Sequence, residues 1–220
     1  MEKVLRAERV NVGCGMSPTP GWINVDNSLS IRLSRHPWIS RIGRATGLIN
    51  EPRARFIEFA RSNAIQLVDV RKSLPFADNS LAAIYSSHML EHLDRWTAAH
   101  FLDEAYRCLA PGGVIRLAVP DLNRKALNYL QSGDADEFIA SLHMNIETPA
   151  TWQGVVRSRV VPFRDHRWMY DLASLSRLLL LKGFATPVGL EPGRTTMTDP
   201  GELNLAERPE ESLYVEACKP

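Results

Sequence analysis

Short apolar runs alternate along the chain with stretches in which apolar residues recur every three or four positions. Strands set between helices produce that alternation, so the pattern predicts an α/β architecture. Seven runs read as strands: 9–13, 22–26, 65–70, 81–87, 114–119, 185–190 and 213–217. Runs 81–87 (LAAIYSS) and 114–119 (VIRLAV) are largely apolar, as strands covered on both faces are. Ala98, Phe101, Leu102, Ala105 and Leu109 repeat at helical spacing, and Pro111-Gly112-Gly113 is expected to stop that helix. Leu172, Leu175, Leu178 and Leu179 repeat likewise, with Asp171 placed as N-cap and Gly183 as the C-terminal stop.

Connection lengths add detail. Residues 28–63 and 123–166 are longer than plain connections, and each is expected to carry its own helix or to form a lid or acceptor site. Only eight residues separate Gly13 from Trp22. A helical crossover between parallel strands needs more, so an irregular crossover is predicted there.

Composition narrows the class. The chain has 220 residues, 45% of them hydrophobic, with 26 Lys plus Arg against 25 Asp plus Glu. That apolar share and near-zero net charge exclude a disordered chain. No apolar run approaches the roughly 18 residues of a membrane span, and the charged start MEKVLRAERV shows no apolar leader, so a cytoplasmic location is expected. A neutral surface does not suit a protein that grips a long nucleic acid, and no nucleic-acid partner is expected. Cys14, Cys108 and Cys218 are widely spaced, with no CxxC pair, and read as reduced thiols.

The candidate chemistry starts at VNVGCG, residues 10–15. A strand that ends in Gly-x-Gly turns sharply and lets a ligand lie against its backbone. A dinucleotide fingerprint would place a third glycine at position 18, where Pro18 stands, and no Gly-Lys-Ser/Thr follows as in a phosphate-binding loop. The pattern therefore favours a nucleoside without phosphates, and Pro18 argues against a nicotinamide oxidoreductase. Asp26 and Asp69 close the second and third runs. At the carboxyl edge of a parallel sheet one carboxylate can accept from ribose hydroxyls and another from an adenine amine. Each alone could simply cap a turn; together with the glycine loop they favour a site.

VNVGCG, GWINVD, VDVRKSLPFADNS, IYSSHMLEHL, RCLAPGGVIRLAVPD and RWMYDLASLSRLLLLKGF resemble, in order, the motifs of class I S-adenosylmethionine-dependent methyltransferases. The chain is most similar to the small type-11-like bacterial branch, over nearly its whole length. The resemblance implies a single domain over 1–220. Its fold would be doubly wound and Rossmann-like, with a seven-stranded, mostly parallel sheet, helices on both faces and an antiparallel seventh strand. It implies S-adenosylmethionine as cofactor and a small-molecule or glycan-precursor acceptor. It places Gly13, Cys14 and Gly15 under the methionine part and ribose, and Asp26 on the ribose hydroxyls. Asp69 would face the adenine amine, with the Val70 amide beside the ring. Ser87 and His88 would lie near the methionine carboxylate or the transferring methyl.

Methyl transfer to a hydroxyl or amine needs a base, and histidine titrates in the right range. His88 and His92, in SSHMLEHL, are the first candidates, with Glu91 able to orient one of them. His166, in FRDHRWMYD, is a candidate from the substrate side; a structural histidine at a helix entry would read the same way. Asp121 points to the ligand edge or begins the next helix. His88-Met-Leu-Glu91-His92 also spells the inverted zinc-protease motif. A zinc hydrolase would need both histidines on one helical turn and a third ligand such as Glu147. The motif follows a strand, and a hydrolase would leave the glycine loop and the two aspartates without a role, so no metal is expected. A non-catalytic cofactor-binding or partner module would satisfy the same motifs without a base.

The segment 28–63 holds Arg32, Arg35, Arg41, Arg44, Arg53, Arg55 and Arg61 and no lysine. Trp38, Ile39, Ile42 and Ile49 interleave with them. This composition suits an anionic acceptor such as a nucleotide-linked sugar, a lipid phosphate or a membrane surface. A solvated helix face explains it equally.

Overall fold

Strand β1 (Glu8–Val12) runs parallel to β2 (Ile23–Asp26) on one side and to β4 (Leu81–Ser87) on the other. The computed structural model describes residues 8–144 and 165–220. With β3 (Ile65–Leu67), β5 (Leu109–Pro120), β6 (Ala185–Leu190) and β7 (Ser212–Cys218), these form one sheet in the order β3-β2-β1-β4-β5-β7-β6. Strand β7 lies antiparallel between β5 and β6, and the other pairings are parallel, as the resemblance implied. The order of the strands reverses between β1 and β4. In doubly wound sheets that switch point opens a crevice at the carboxyl ends, where ligands bind.

The period-2 alternation of the strands divides two apolar layers. Val10, Val12, Ile84, Leu117 and Val215 face one layer with α4 (Arg95–Cys108) and the later helix α7 (Leu172–Leu181). Helix α4 contributes Ala98, Phe101, Leu102 and Ala105, and α7 contributes Leu175 and Leu179. Asp94 caps α4 through the Thr97 amide, and Asp171 forms a reciprocal capping box with Ser174 at the start of α7. Gly183 follows α7 with φ +90°, the left-handed stop expected there. Ala83, Tyr85, Ala118 and Tyr214 face the second layer with Trp22, Met197 and Leu203.

The short β1–β2 crossover has no helix, as its length predicted. Two buried asparagines support it instead. Asn11 Nδ2 donates to the Ser17 carbonyl at 3.0 Å and to Thr19 Oγ1 at 3.1 Å. The Thr19 amide donates to Asn24 Oδ1 at 2.7 Å, and Asn24 Nδ2 returns bonds to the Thr19 and Trp22 carbonyls at 3.0 Å. Backbone groups that a crossover helix would satisfy internally are met by these side chains.

Segment 28–63 is the β2–β3 crossover. It forms α1 (Leu29–Ser34), α2 (Pro37–Ala45) and α3 (Glu51–Ser62). Ile31, Phe56 and Ala60 pack there with Cys14 and Ile65. Trp38, Ile39 and Ile42 remain exposed, while Ile49 packs on Gly43. Strand β3 ends at Leu67, short of the expected 65–70. Asp69 turns the chain out of the sheet, its side chain taking the Arg71 amide at 3.1 Å and its carbonyl the Lys72 amide at 2.9 Å.

Helix α4 ends at Cys108, ahead of the Pro-Gly-Gly expected to stop it, and β5 begins at once. Pairing steps from Leu81↔Leu109 to Ala83↔Val114, so 110–113 bulges out. Lys219 seals that bulge, its carbonyl taking the Gly112 amide at 2.8 Å and its amide donating to Gly113 O at 2.9 Å. Segment 123–166 carries α5 (Leu122–Ser132) and α6 (Ala135–Ser141). Glu147 lies outside the described residues. All three cysteines are free thiols. Among the described residues no helix is long and apolar enough to cross a membrane.

Candidate cofactor and acceptor site

The site is built first from the two turns that follow β1 and β2. The Gly13 and Cys14 amides both donate to the Val25 carbonyl, at 2.8 and 3.2 Å, bending the chain over the end of β2. Gly13 has φ +73°, and a Cβ there would lie 2.7 Å from Met89 Cγ, so only glycine fits. Gly15, with φ +53°, differs: a Cβ there would meet nothing within 4 Å. Its amide donates to Asp26 Oδ2 at 3.0 Å, and Asp26 Oδ1 accepts from the Ser28 amide at 2.6 Å. Asp26 is buried, and it braces both the glycine loop and the entry to α1. The Cys14 thiol is pushed up to about 12 by burial and then by the Asp26 charge, which makes it a neutral packing group and not a nucleophile.

Asp69 stands at the same sheet edge, beyond β3. Both its oxygens are held by Arg71, through Nε at 2.8 Å and Nη2 at 2.7 Å. That hydrogen bonding lowers its carboxyl to about 2, with a smaller contribution from the charge of Arg32 on α1. Val70, next in the chain, is half-buried against the main core.

The third part lies past β4. The His88 amide donates to the Ala118 carbonyl at 2.9 Å and so extends the β4–β5 ladder, while His88 itself takes φ +47°. That left-handed backbone is uncommon for a side chain of this size and throws the next residues sharply aside. His92 closes a single 3-10 turn (Leu90–His92), not the α-helical turn of a zinc protease. His88 Nε2 lies 2.8 Å from Ser212 Oγ, which itself donates to the Glu207 carbonyl at 3.1 Å. His88 Nδ1 lies 3.5 Å, and His92 Nε2 3.9 Å, from Glu91 Oε1. The carboxylate of Glu91 is wholly buried, and neither oxygen has a hydrogen-bond partner among the described residues. The Ser87 hydroxyl is likewise buried without a partner among them.

His166 joins this group. The Glu91 carbonyl accepts from the Arg167 and Trp168 amides at 2.7 and 3.2 Å, which fastens the segment after Asp165 beside the turn. The His166 ring packs edge-on against His92 and His143, at centroid distances of 5.1 and 5.4 Å. Burial lowers its pKa, opposed by the Glu91 charge. The structure thus brings the three sequence candidates His88, His92 and His166 together around Glu91. Asp121 lies apart from them in role: it caps α5 through the Asn123 and Arg124 amides. Ser212, Glu207 and Met89 carried no sequence signal for the site; they reach it through β7, the turn before it and the Gly13 contact.

A doubly wound sheet with a glycine loop at its switch point is the Rossmann-like arrangement, in which ligands sit at the carboxyl ends of the strands. Residues 36–117 match a family described as a methyltransferase domain, of type 11. No curated protein matches the chain in sequence. Among solved structures it is similar to a S-adenosylmethionine-dependent methyltransferase from Methanosarcina mazei, at 16% identity and TM-score 0.50, covering 96% of this chain and 92% of that one. It is also similar to the apo form of the S-adenosylmethionine-dependent methyltransferase SibL, at 15% identity and TM-score 0.50, covering 98% and 51%. At these identities the structural likeness speaks to the fold. The methyltransferase-domain match covers residues 36–117, and the fold of the whole sheet is that of class I S-adenosylmethionine-dependent methyltransferases.

Proposed function

We propose that the enzyme methylates a small-molecule or glycan-precursor acceptor, with the cofactor lying over Gly13–Gly15 and the acceptor approaching from the His88 side. The observation that carries this reading is the meeting of two loops at one switch point: Met89, between His88 and Glu91, is what a Cβ on Gly13 would strike. S-adenosylmethionine, when bound, supplies a methyl activated on a sulfonium. The residues present fit such a group: the open side of Gly15 leaves room for it, and the unpartnered Ser87 hydroxyl can meet its polar end. In this reading Asp26 holds the ribose hydroxyls while it braces the loop, and Cys14 fills the space beneath. Asp69 and the Val70 amide take the adenine edge.

His88 serves as the acceptor-orienting group, its Nε2 held by Ser212 and its Nδ1 facing Glu91, with His92 and His166 completing the wall. The arginine-rich composition of 28–63 supports an anionic acceptor such as a sugar linked to a nucleotide. Three free cysteines support a reducing, cytoplasmic setting. The test combines calorimetric binding of S-adenosylhomocysteine with transfer of labelled methyl to a panel of sugar nucleotides and small hydroxyl or amine compounds. Saturable cofactor binding and turnover on an anionic member are expected. His88→Ala is expected to lower turnover more than cofactor affinity. Tight cofactor binding with no turnover on any acceptor would point to a non-catalytic module.

A further inference from the structure

A place behind His88 does not explain why both Glu91 oxygens are buried with no hydrogen-bond partner among the described residues. A carboxylate shut from water with neither oxygen hydrogen-bonded is among the costliest arrangements in a protein interior. Its neighbours are ring nitrogens, His88 Nδ1 at 3.5 Å and His92 Nε2 at 3.9 Å from Oε1. His92 Nδ1 lies 3.2 Å from the Asp165 carbonyl, which can only accept; Nδ1 therefore carries a proton, and Nε2, 3.9 Å from Glu91 Oε1, is the ring atom turned to the carboxylate. The same logic holds at His88. Ser212 Oγ donates to the Glu207 carbonyl, so His88 Nε2 donates to Ser212, and Nδ1 is the ring atom that faces Glu91. Nδ1 of His166 is also buried without a partner among the described residues. A buried carboxylate with imidazole nitrogens gathered beside it is a donor set that a cation would satisfy.

We propose that Glu91, His92 and His166 bind a divalent first-row transition cation of the zinc type. One ligand atom from each lies within 4.8 Å of the others. Zinc–ligand distances of about 2.0–2.2 Å set neighbouring ligand atoms roughly 3.4 Å apart in a tetrahedral site, so closure by about 1.4 Å at most is needed. The backbone pairing of Glu91 with Arg167 and Trp168 already fixes the two segments to each other. A carbonyl behind the Nδ1 of His92 is the second-shell support that metal-bound imidazoles use. Two imidazoles and one carboxylate suit Zn²⁺ and its neighbours better than Mg²⁺, which prefers oxygen alone. The sequence motif suggested a different set, with both His88 and His92 as ligands on one helical turn and Glu147 as the third. Here His88 stands behind the carboxylate and His166 completes the set. Three protein ligands leave a coordination position for an acceptor oxygen or nitrogen. That last step rests on the methyl-transfer reading; the binding of the cation does not.

The test uses the full chain, stripped with a chelator, dialysed and titrated calorimetrically with ZnCl₂ and with CoCl₂, the cobalt followed also by its visible absorption. One saturable equivalent is expected. His92→Gln and His166→Gln are each expected to weaken it at least tenfold and to change the cobalt spectrum. His143→Ala, which removes only a packing partner of His166, is expected to keep both. Glu91→Gln belongs in the series, but its burial can cost the fold, so the two histidine variants carry the test once circular dichroism shows them folded. No saturable binding to the native chain, or equal affinity in both histidine variants, would overturn the proposal. S-adenosylhomocysteine is titrated into the same samples. Metal bound without it would sustain the cation site and defeat the methyl-transfer reading. Cofactor bound without metal would do the reverse.

Discussion

The Gly15 amide donates to Asp26 Oδ2 across 3.0 Å, while the other oxygen of the same carboxylate takes the Ser28 amide at 2.6 Å. One buried side chain therefore shapes the glycine loop and starts α1. Removing it leaves two amides unpaired, at a cost of about 1–3 kcal/mol each where they stay dry. Asp26→Ala is expected to lower S-adenosylhomocysteine affinity at least tenfold, about 1.4 kcal/mol, together with a fall in melting temperature. Calorimetry and a thermal melt check it. Full affinity in the folded variant would remove Asp26 from the ligand.

The two glycines of the loop predict different outcomes. Gly13→Ala forces a methyl into Met89 at a left-handed backbone, so it is expected to destabilise the apo protein. Met89→Ala in the same chain is expected to restore part of the loss, with a coupling of roughly 0.5–3 kcal/mol in urea unfolding. Gly15→Ala meets no protein atom, and its left-handed backbone costs only about 1–2 kcal/mol. Its main effect is expected on the ligand, an affinity loss of tenfold or more. Equal loss of stability and no loss of affinity at Gly15 would empty that side of the loop.

Much of this was legible in the sequence wherever the signal is local. The periodicity of 81–87, of Ala98 to Ala105 and of Leu172 to Leu179 marks elements that pack on one core, so pattern and structure coincide. Val68 and Val70 continue the apolar run of β3, so the pattern predicts a longer strand than the Ile65–Leu67 that forms. Asp69 ends it through a hydrogen bond that composition does not reveal. Pro111-Gly112-Gly113 has the composition of a helix stop. It became a bulge because the chain's end, through Lys219, pairs with it. The histidines adjacent in sequence were visible. Their environment was not: Ser212 meets His88 across 124 positions, and nothing local distinguishes a wholly buried Glu91 from a solvated one.

Asp69 makes a pH prediction. Arg71 lowers its carboxyl to about 2, against an unfolded value near 3.9. A depressed pKa contributes stability above the unfolded value, and that contribution is lost as pH falls towards the folded one. Because Arg71 is 62% exposed, the pair is worth at most about 1 kcal/mol. The stability gap between the native chain and Arg71→Ala is therefore expected to be constant above about pH 4 and to close between pH 4 and 2 in urea unfolding. Arg71→Ala also releases both carboxylate oxygens from the guanidinium, leaving only the residue-71 amide on Oδ1. If Asp69 takes the adenine amine, this variant keeps or improves S-adenosylhomocysteine affinity while Asp69→Ala loses at least tenfold. Parallel losses in the two would place the arginine in the binding site instead.

Arg116 and Glu216 face each other at 2.6 Å with almost no solvent access, on the adjacent strands β5 and β7. Arg116 also donates to the Arg194 and Leu205 carbonyls and lies over the Tyr214 ring. Burial alone would raise the Glu216 carboxyl, but bonds from Thr196, Thr195 and Arg116 outweigh it and hold the group below the usual value. The pair thus clamps the stretch between β6 and β7 onto the sheet. Removing one partner leaves the other charged, buried and unpaired, so Arg116→Met and Glu216→Leu are each expected to cost about 3–5 kcal/mol. Combining them removes both charges together. The Thr196 amide and two carbonyls still lose their partners, so recovery is partial, and the double variant is expected to cost no more than the worse single one. Urea unfolding of the four chains measures this. Costs that simply add would mean that the two side chains act independently, and that the clamp consists of the threonine and carbonyl bonds alone.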